Sequence, residues 1–290
     1  MQDRRVRAGG IELQIREYER AADAAVFLHF GGANLMAWQR IVPFFQDRYR
    51  LVLVDLRGHG KSDKPETGYH IDEMARDVVT VMQHLKIERA HIVGSSMGAE
   101  VGLSMAANDP DKLISLVCEG ALYSEYGPYG IWDGSEAEFK EHVAGRLQKA
   151  QDIPLVVYPS VDALVCARRQ ALEPHGWWND DVEAMVRYDW CETGEGACVA
   201  GWRNPGRHEY LRYYFGYRFE AYYGKVKCPV LMLPGEDDWQ DERARAAMSG
   251  LCALTRQGRI VAVPGWQHPY GWLLDPEKVC AAVLEFLAEA

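Results

Sequence analysis

Two apolar rhythms follow one another along the chain. Ile11-Glu12-Leu13-Gln14-Ile15 alternates apolar and polar residues, which predicts a half-buried antiparallel strand. The pattern then changes to short continuous apolar runs: Ala25–Leu28, Leu51–Val54, His91–Val93, Ile114–Val117, Val230–Leu233 and Ile260–Val263. Runs of that kind predict strands covered on both faces. Between them, Ile71 to Leu85 places Met74, Val78, Val81, Met82 and Leu85 on one stripe, and Val279 to Leu287 repeats at the same helical spacing. Strands alternating with helices predict an α/β fold with a mostly parallel sheet and helices on both faces. The rhythm stops after Gly120 and resumes at Cys228-Pro229-Val230. The expected organisation is therefore a core of residues 1–121 and 226–290 carrying an inserted, mainly helical segment, 122–225.

Composition sharpens this picture. A chain of 290 residues, 48% hydrophobic, can bury a full core and fold alone, and it admits a homodimer. The insertion holds 19 of the 32 aromatic side chains, a surplus that suits a lid over an apolar pocket. Trp38, Trp132, Trp239 and Trp266 are the candidate pocket residues. The net charge of -10, without a concentrated Lys/Arg block, argues against nucleic acid or an anionic membrane as partner and leaves a small-molecule substrate. The charged start, Met1 to Arg7, lacks the apolar stretch of a secretory leader. The seven cysteines form no Cys-x-x-Cys pair and no metal-like spacing. A cytoplasmic protein with reduced thiols, no metal and no cofactor is expected.

The chemistry centres on Gly94-Ser95-Ser96-Met97-Gly98, a G-x-S-x-G pentapeptide directly after an apolar run and before the helix-compatible Ala99 to Ala107. In a strand-to-helix turn this sharp, Ser96 stands at the carboxyl edge of the sheet. A serine hydroxyl needs a base within reach, and the base needs an anion to fix its tautomer. His268, in the loop after the last apolar run, is the candidate base, with His29 and His59 as rivals in earlier loops. For the acid, Pro234-Gly235-Glu236-Asp237-Asp238 offers three adjacent carboxylates after another strand. Ser96, Asp238 and His268 stand in the chain order Ser, acid, His that this architecture uses.

With these residues the chain resembles the α/β-hydrolase superfamily, in its capped serine form. Asp55-Leu56-Arg57-Gly58-His59-Gly60-Lys61-Ser62 is similar to the family's D-x-R-G-x-G-x-S segment, and Gly235 to Asp238 to its acid loop, which favours Asp238 over Asp237. The resemblance implies an eight-stranded sheet. It also implies an oxyanion hole built from Met97 and from Gly31 or Gly32 of Leu28-His29-Phe30-Gly31-Gly32, where Phe30 departs from the usual glycine. Serine at the nucleophile position argues against epoxide opening and dehalogenation. Cleavage of carboxylic esters of small to medium apolar or aromatic substrates through an acyl-enzyme is the expected activity. The alternatives are a lactonase, a carbon-carbon hydrolase for ring-fission products whose carboxylate would pair with Arg168-Arg169, and a catalytically silent receptor.

Overall fold

The continuous apolar runs become the inner strands of an eight-stranded sheet in the computed structural model, which describes residues 1–290. The strands are β1 (Gln2–Ala8), β2 (Ile11–Tyr18), β3 (Ala24–Leu28), β4 (Arg50–Val54), β5 (Ala90–Ser95) and β6 (Leu113–Glu119), then β9 (Val230–Met232) and β10 (Gly258–Ile260). Their spatial order is β1-β2-β4-β3-β5-β6-β9-β10. Strands β1 and β2 run antiparallel, and from β4 to β10 every pairing is parallel. All the parallel strands therefore end at one edge, and the loops that leave them meet there. A separate hairpin, β7 (Trp190–Gly194) and β8 (Ala197–Ala200), lies outside the sheet.

The helices of eight or more residues are α1 (Ile71–His84), α2 (Met97–Asn108), α3 (Glu136–Gln151), α4 (Val161–Leu172), α5 (Asp180–Tyr188), α6 (Gly206–Tyr214), α7 (Glu242–Ala253) and α8 (Glu277–Glu289). Apolar cores form on both faces of the sheet. One gathers Val26, Val52, Ile92 and Leu116 under α1 and α2, and the other gathers Phe27, Leu53, Val93 and Val117 under α8. Successive residues of one strand thus point into opposite cores, which is why the runs are apolar throughout. No helix is long and apolar enough to cross a membrane.

Three details differ from the expectation. The charged start is a strand: Arg4, Arg5 and Arg7 lie along an edge where only Val6 and Ala8 need burial. Within the last apolar run, only Ile260 belongs to the ladder, although Val261 still donates to Met232 (3.0 Å). The segment between β6 and β9 contains the β7–β8 hairpin as well as α3 to α6.

The loops after β3 and β4 are held together by Asp55. Its buried carboxylate accepts from the amides of Leu35 (2.6 Å) and Lys61 (2.8 Å) and from the Tyr188 hydroxyl (3.1 Å), so it also fastens α5 of the intervening segment. Gly60, at φ 52°, passes so close that a Cβ there would stand 2.1 Å from Asp55 Oδ2. Asp55→Ala strands these donors, and urea unfolding should show a loss of about 3 kcal/mol. A loss under about 1 kcal/mol would show that the loops hold without this anchor.

Candidate active site

Ser96 sits where β5 turns into α2, at φ 48° and ψ -118°. That is a strained backbone for a residue with a side chain, and the surroundings enforce it. The Ser96 amide donates to the Glu119 carbonyl (2.6 Å), and Gly120 packs so closely that a Cβ there would lie 2.5 Å from Ser96 Cα. On the other side, a Cβ on Gly98 would stand 2.0 Å from the Leu28 carbonyl oxygen. The glycines of the pentapeptide therefore let the helix start between β3 and β5 without a clash.

His268 lies in the loop after β10, and its Nδ1 donates to Glu119 Oε1. Glu119, the last residue of β6, is buried, and three further donors meet it: the Ser95 hydroxyl and the indole N–H groups of Trp266 (3.3 Å) and Trp272 (3.0 Å). The expected pairing of His268 with Asp238 is thereby corrected. Gly235 opens a short helix, Glu236–Gln240, which leaves Asp238 Oδ1 accepting from the Tyr123 hydroxyl (2.8 Å). Asp238 stays near enough to act on His268 through its charge. Burial disfavours the imidazolium, but the Glu119 carboxylate and its hydrogen bond, aided by Asp238 and Glu100, outweigh this. The ring titrates above its ordinary 6.5.

The rival histidines serve the scaffold. His29 is buried between the Phe30 carbonyl (2.8 Å) and the Leu56 amide (3.0 Å), and burial lowers its pKa to about 4. His59 is buried against Trp202, with ring centroids 4.1 Å apart, and burial lowers its pKa as well.

A cleft of about 180 Å³ at Ser96 is lined by Phe30, Gly31, Met97, Trp202, Arg207, Tyr210, Leu211 and Pro269. Gly31 rather than Gly32 borders it. A Cβ on Gly31 would stand 3.1 Å from Met97 Cε, whereas Gly32, at φ 83°, turns toward Trp202. The amides of Gly31 and Met97 donate to no backbone carbonyl.

None of the four tryptophans expected in the pocket lines this cleft. Trp38 is buried in the core against Phe27 and Trp272, Trp132 packs on Phe139 and His142, and Trp239 lies beneath Arg245. Trp266, also buried, borders a separate cavity of about 360 Å³ beside His268, Trp177 and Asp238. Trp202, from the intervening segment, takes the place at Ser96. Trp202 and Arg207 also line an adjoining cavity of about 310 Å³ together with Arg168 and Arg203. Arg169 instead faces outward to Glu173 (2.8 Å). Half-buried Arg207 has its pKa lowered by burial and then by the charge of Arg168, while Arg168 itself acts through its charge on buried Asp189.

Residues 24–149 match a family model described as the alpha/beta hydrolase fold. Over 292 aligned positions, covering 98% of the chain and 94% of the relative, the chain is 37% identical to 2-(acetamidomethylene)succinate hydrolase from Mesorhizobium japonicum. Among solved structures it is similar to an E-2-(acetamidomethylene)succinate hydrolase, with a TM-score of 0.77, 24% identity and 99% of both chains covered. An enol-lactonase from Burkholderia xenovorans LB400 follows with a TM-score of 0.72, 22% identity, and 98% of this chain and all of the other covered.

The His268–Glu119 contact has a spectroscopic consequence. The His268 ring, followed by proton NMR, should titrate above 6.5, and Glu119→Gln should bring the midpoint below 6.5, because burial then acts with little opposition. Asp238→Asn should shift it less. An unchanged midpoint in Glu119→Gln would show that the carboxylate does not govern the base.

Proposed function

Since the chain belongs to the α/β-hydrolase family, and is a hydrolase of that kind, we propose that it is a serine hydrolase with Ser96 as nucleophile, His268 as base and Glu119 as acid. The observation that carries the assignment is the His268 Nδ1 hydrogen bond to buried Glu119, which leaves Nε2 as the basic nitrogen. His268 Nε2 takes the Ser96 proton as Oγ attacks the acyl carbon. The oxyanion is received by the amides of Gly31 and Met97, each worth roughly 3 kcal/mol in such sites. His268 then returns the proton to the leaving group, and water enters by the same route to release the acid and regenerate Ser96. No metal or organic cofactor has a step in this sequence.

The substrate proposed is a small acyl compound carrying a carboxylate. Arg207 supports this, as a half-buried cation lining the cleft with no ion-pair partner, with Arg168 beyond it in the adjoining cavity. The relative that matches nearly the full chain is named for a succinate derivative, which agrees with an anionic substrate. The segment that supplies Trp202, Arg207 and Tyr210 acts in this reading as a cap that selects for charge as well as apolar surface. The same arginines would serve carbon-carbon cleavage of an anionic ring-fission product, so an ester and a dienone of matched charge are the substrates to compare.

Ser96→Ala and His268→Ala should each lower kcat by roughly a millionfold, and a fluorophosphonate should label the protein at Ser96 alone. Glu119→Gln should lose about 10⁴-fold, and Asp238→Asn under about tenfold. The reverse ranking would return the acid to the loop after β9. The rate of the parent enzyme should fall as pH drops through the His268 titration, above 6.5, because the protonated ring cannot accept the serine proton.

Arg207→Ala and Arg168→Ala should each raise KM for a carboxylate-bearing ester by about tenfold, and leave KM for its methylated analogue within about twofold. Equal effects on both esters would remove the arginines from substrate binding.

A further inference from the structure

Glu100 stands one turn beyond Ser96 on α2, and its amide donates to the Ser96 carbonyl (3.1 Å). Residues four apart share a helix face, so Glu100 projects on the side that carries Ser96. Glu100 is only 3% exposed, and one hydroxyl reaches its carboxyl group: Tyr210 Oη lies 3.0 Å and 2.9 Å from its two oxygens. Tyr210 belongs to α6 and lines the Ser96 cleft, three residues after Arg207.

A phenol has one proton, and an ionised carboxylate can only accept. The Tyr210 proton is therefore committed to Glu100, so toward the cleft that Tyr210 lines its oxygen can offer only lone pairs. The arrangement repeats alongside. Tyr214, whose ring centre is 5.8 Å from that of Tyr210, donates to Glu125 (2.7 Å), and Tyr123 donates to Asp238 (2.8 Å). At the cleft itself Tyr210 is thus a hydroxyl whose proton is already used, while Arg207 brings donors.

We propose that Tyr210, oriented by Glu100, is a specificity-determining acceptor that selects a hydrogen-bond donor on the scissile end of the substrate, favouring an N-acyl compound with a free N–H over its N-alkylated form and over the ester. The inference rests on the serine hydrolase reading and narrows its substrate class. An amide N–H satisfies the Tyr210 oxygen. An ester oxygen or a tertiary amide brings lone pairs or a methyl group against it and leaves it unpaired, and sites built around a buried hydrogen bond reject analogues that lack the partner. Glu100 acts as a positioning residue, since it touches Tyr210 and not the substrate.

The test uses one carboxylate-bearing acyl group joined to three leaving groups: aniline, N-methylaniline and phenol. Burial raises the Glu100 pKa to about 7, so assays at roughly pH 9 keep it ionised. In the parent enzyme kcat/KM should favour the N–H anilide over the N-methyl anilide by at least about tenfold. Tyr210→Phe should lower that ratio about tenfold. Any steric penalty of the methyl group is common to both enzymes and cancels in the comparison.

Glu100→Gln keeps the hydroxyl but replaces one of the two oxygens that hold its proton with an amide donor, so the phenol proton is held less firmly and becomes available to the cleft. The ratio should fall here too, and the ester should gain relative to the N–H anilide. If Tyr210→Phe does not fold, Glu100→Gln carries the test. Ratios equal to the parent's in the folded variants overturn the inference. Ser96-dependent ester hydrolysis without preference for the N–H anilide also overturns it, and leaves the serine mechanism standing. Absence of turnover for all three compounds overturns both.

Discussion

Glu119 places a carboxylate at the end of β6 with no exposure to water, and an anion can stay there only because four donors from three places converge on it. Ser95 comes from the neighbouring strand, Trp266 and His268 from the loop after β10, and Trp272 from the short helix that follows. Removing a partner from a buried charge typically costs about 3–5 kcal/mol, far more than a surface contact. The charge therefore fastens the His268 loop to the sheet. Trp272 packs edge-on against both Trp38 and Trp266, with centroids 5.0 Å and 5.1 Å away and planes 60° and 83° apart, so the same anchor continues into the apolar core on that face.

The surroundings of Ser96 are polarised in a consistent sense. On the core side Gly31 and Met97, whose amides meet no backbone carbonyl, border the cleft, and from the intervening segment come the Arg207 guanidinium group and the Tyr210 hydroxyl, which donates to Glu100. In the proposed reading a ligand carries negative charge toward Arg207 and a donor toward Tyr210. Shape alone would not distinguish such a molecule from an apolar one of equal size. Charge and hydrogen-bond direction do.

The parallel sheet and the places of Ser96 and His268 were legible because their signals are local. Continuous apolar runs mark strands covered twice, and a glycine-flanked serine after such a run marks a sharp turn. The carboxylate partner of His268 was not legible. Glu119 closes the apolar run Leu116-Val117-Cys118, where a charge reads as an ordinary strand end, and its importance comes from tryptophans about 150 positions later. A carboxylate just before Gly120, level with the residue preceding the nucleophile, was the available signal. Asp238 matched in spacing, but a short helix directs it to Tyr123. The pocket aromatics were misjudged for a related reason: composition counts rings and says nothing of direction, so Trp38 went to the core and Trp202 to the cleft. The charged strand β1 escaped notice because an edge demands so little apolar surface.

Ser95 pairs with Glu119 across the β5–β6 ladder, and Ser96 extends that register by donating to the Glu119 backbone. Ser96 and Glu119 are thus fixed to one another by backbone geometry, like two teeth cut in the same rack. Only His268 arrives from elsewhere, on a loop that must span the distance from β10. The mechanical freedom of the assembly is then the freedom of that one loop, and its tolerance to insertion or thermal motion is set by how firmly two indoles and an imidazole hold their shared anion.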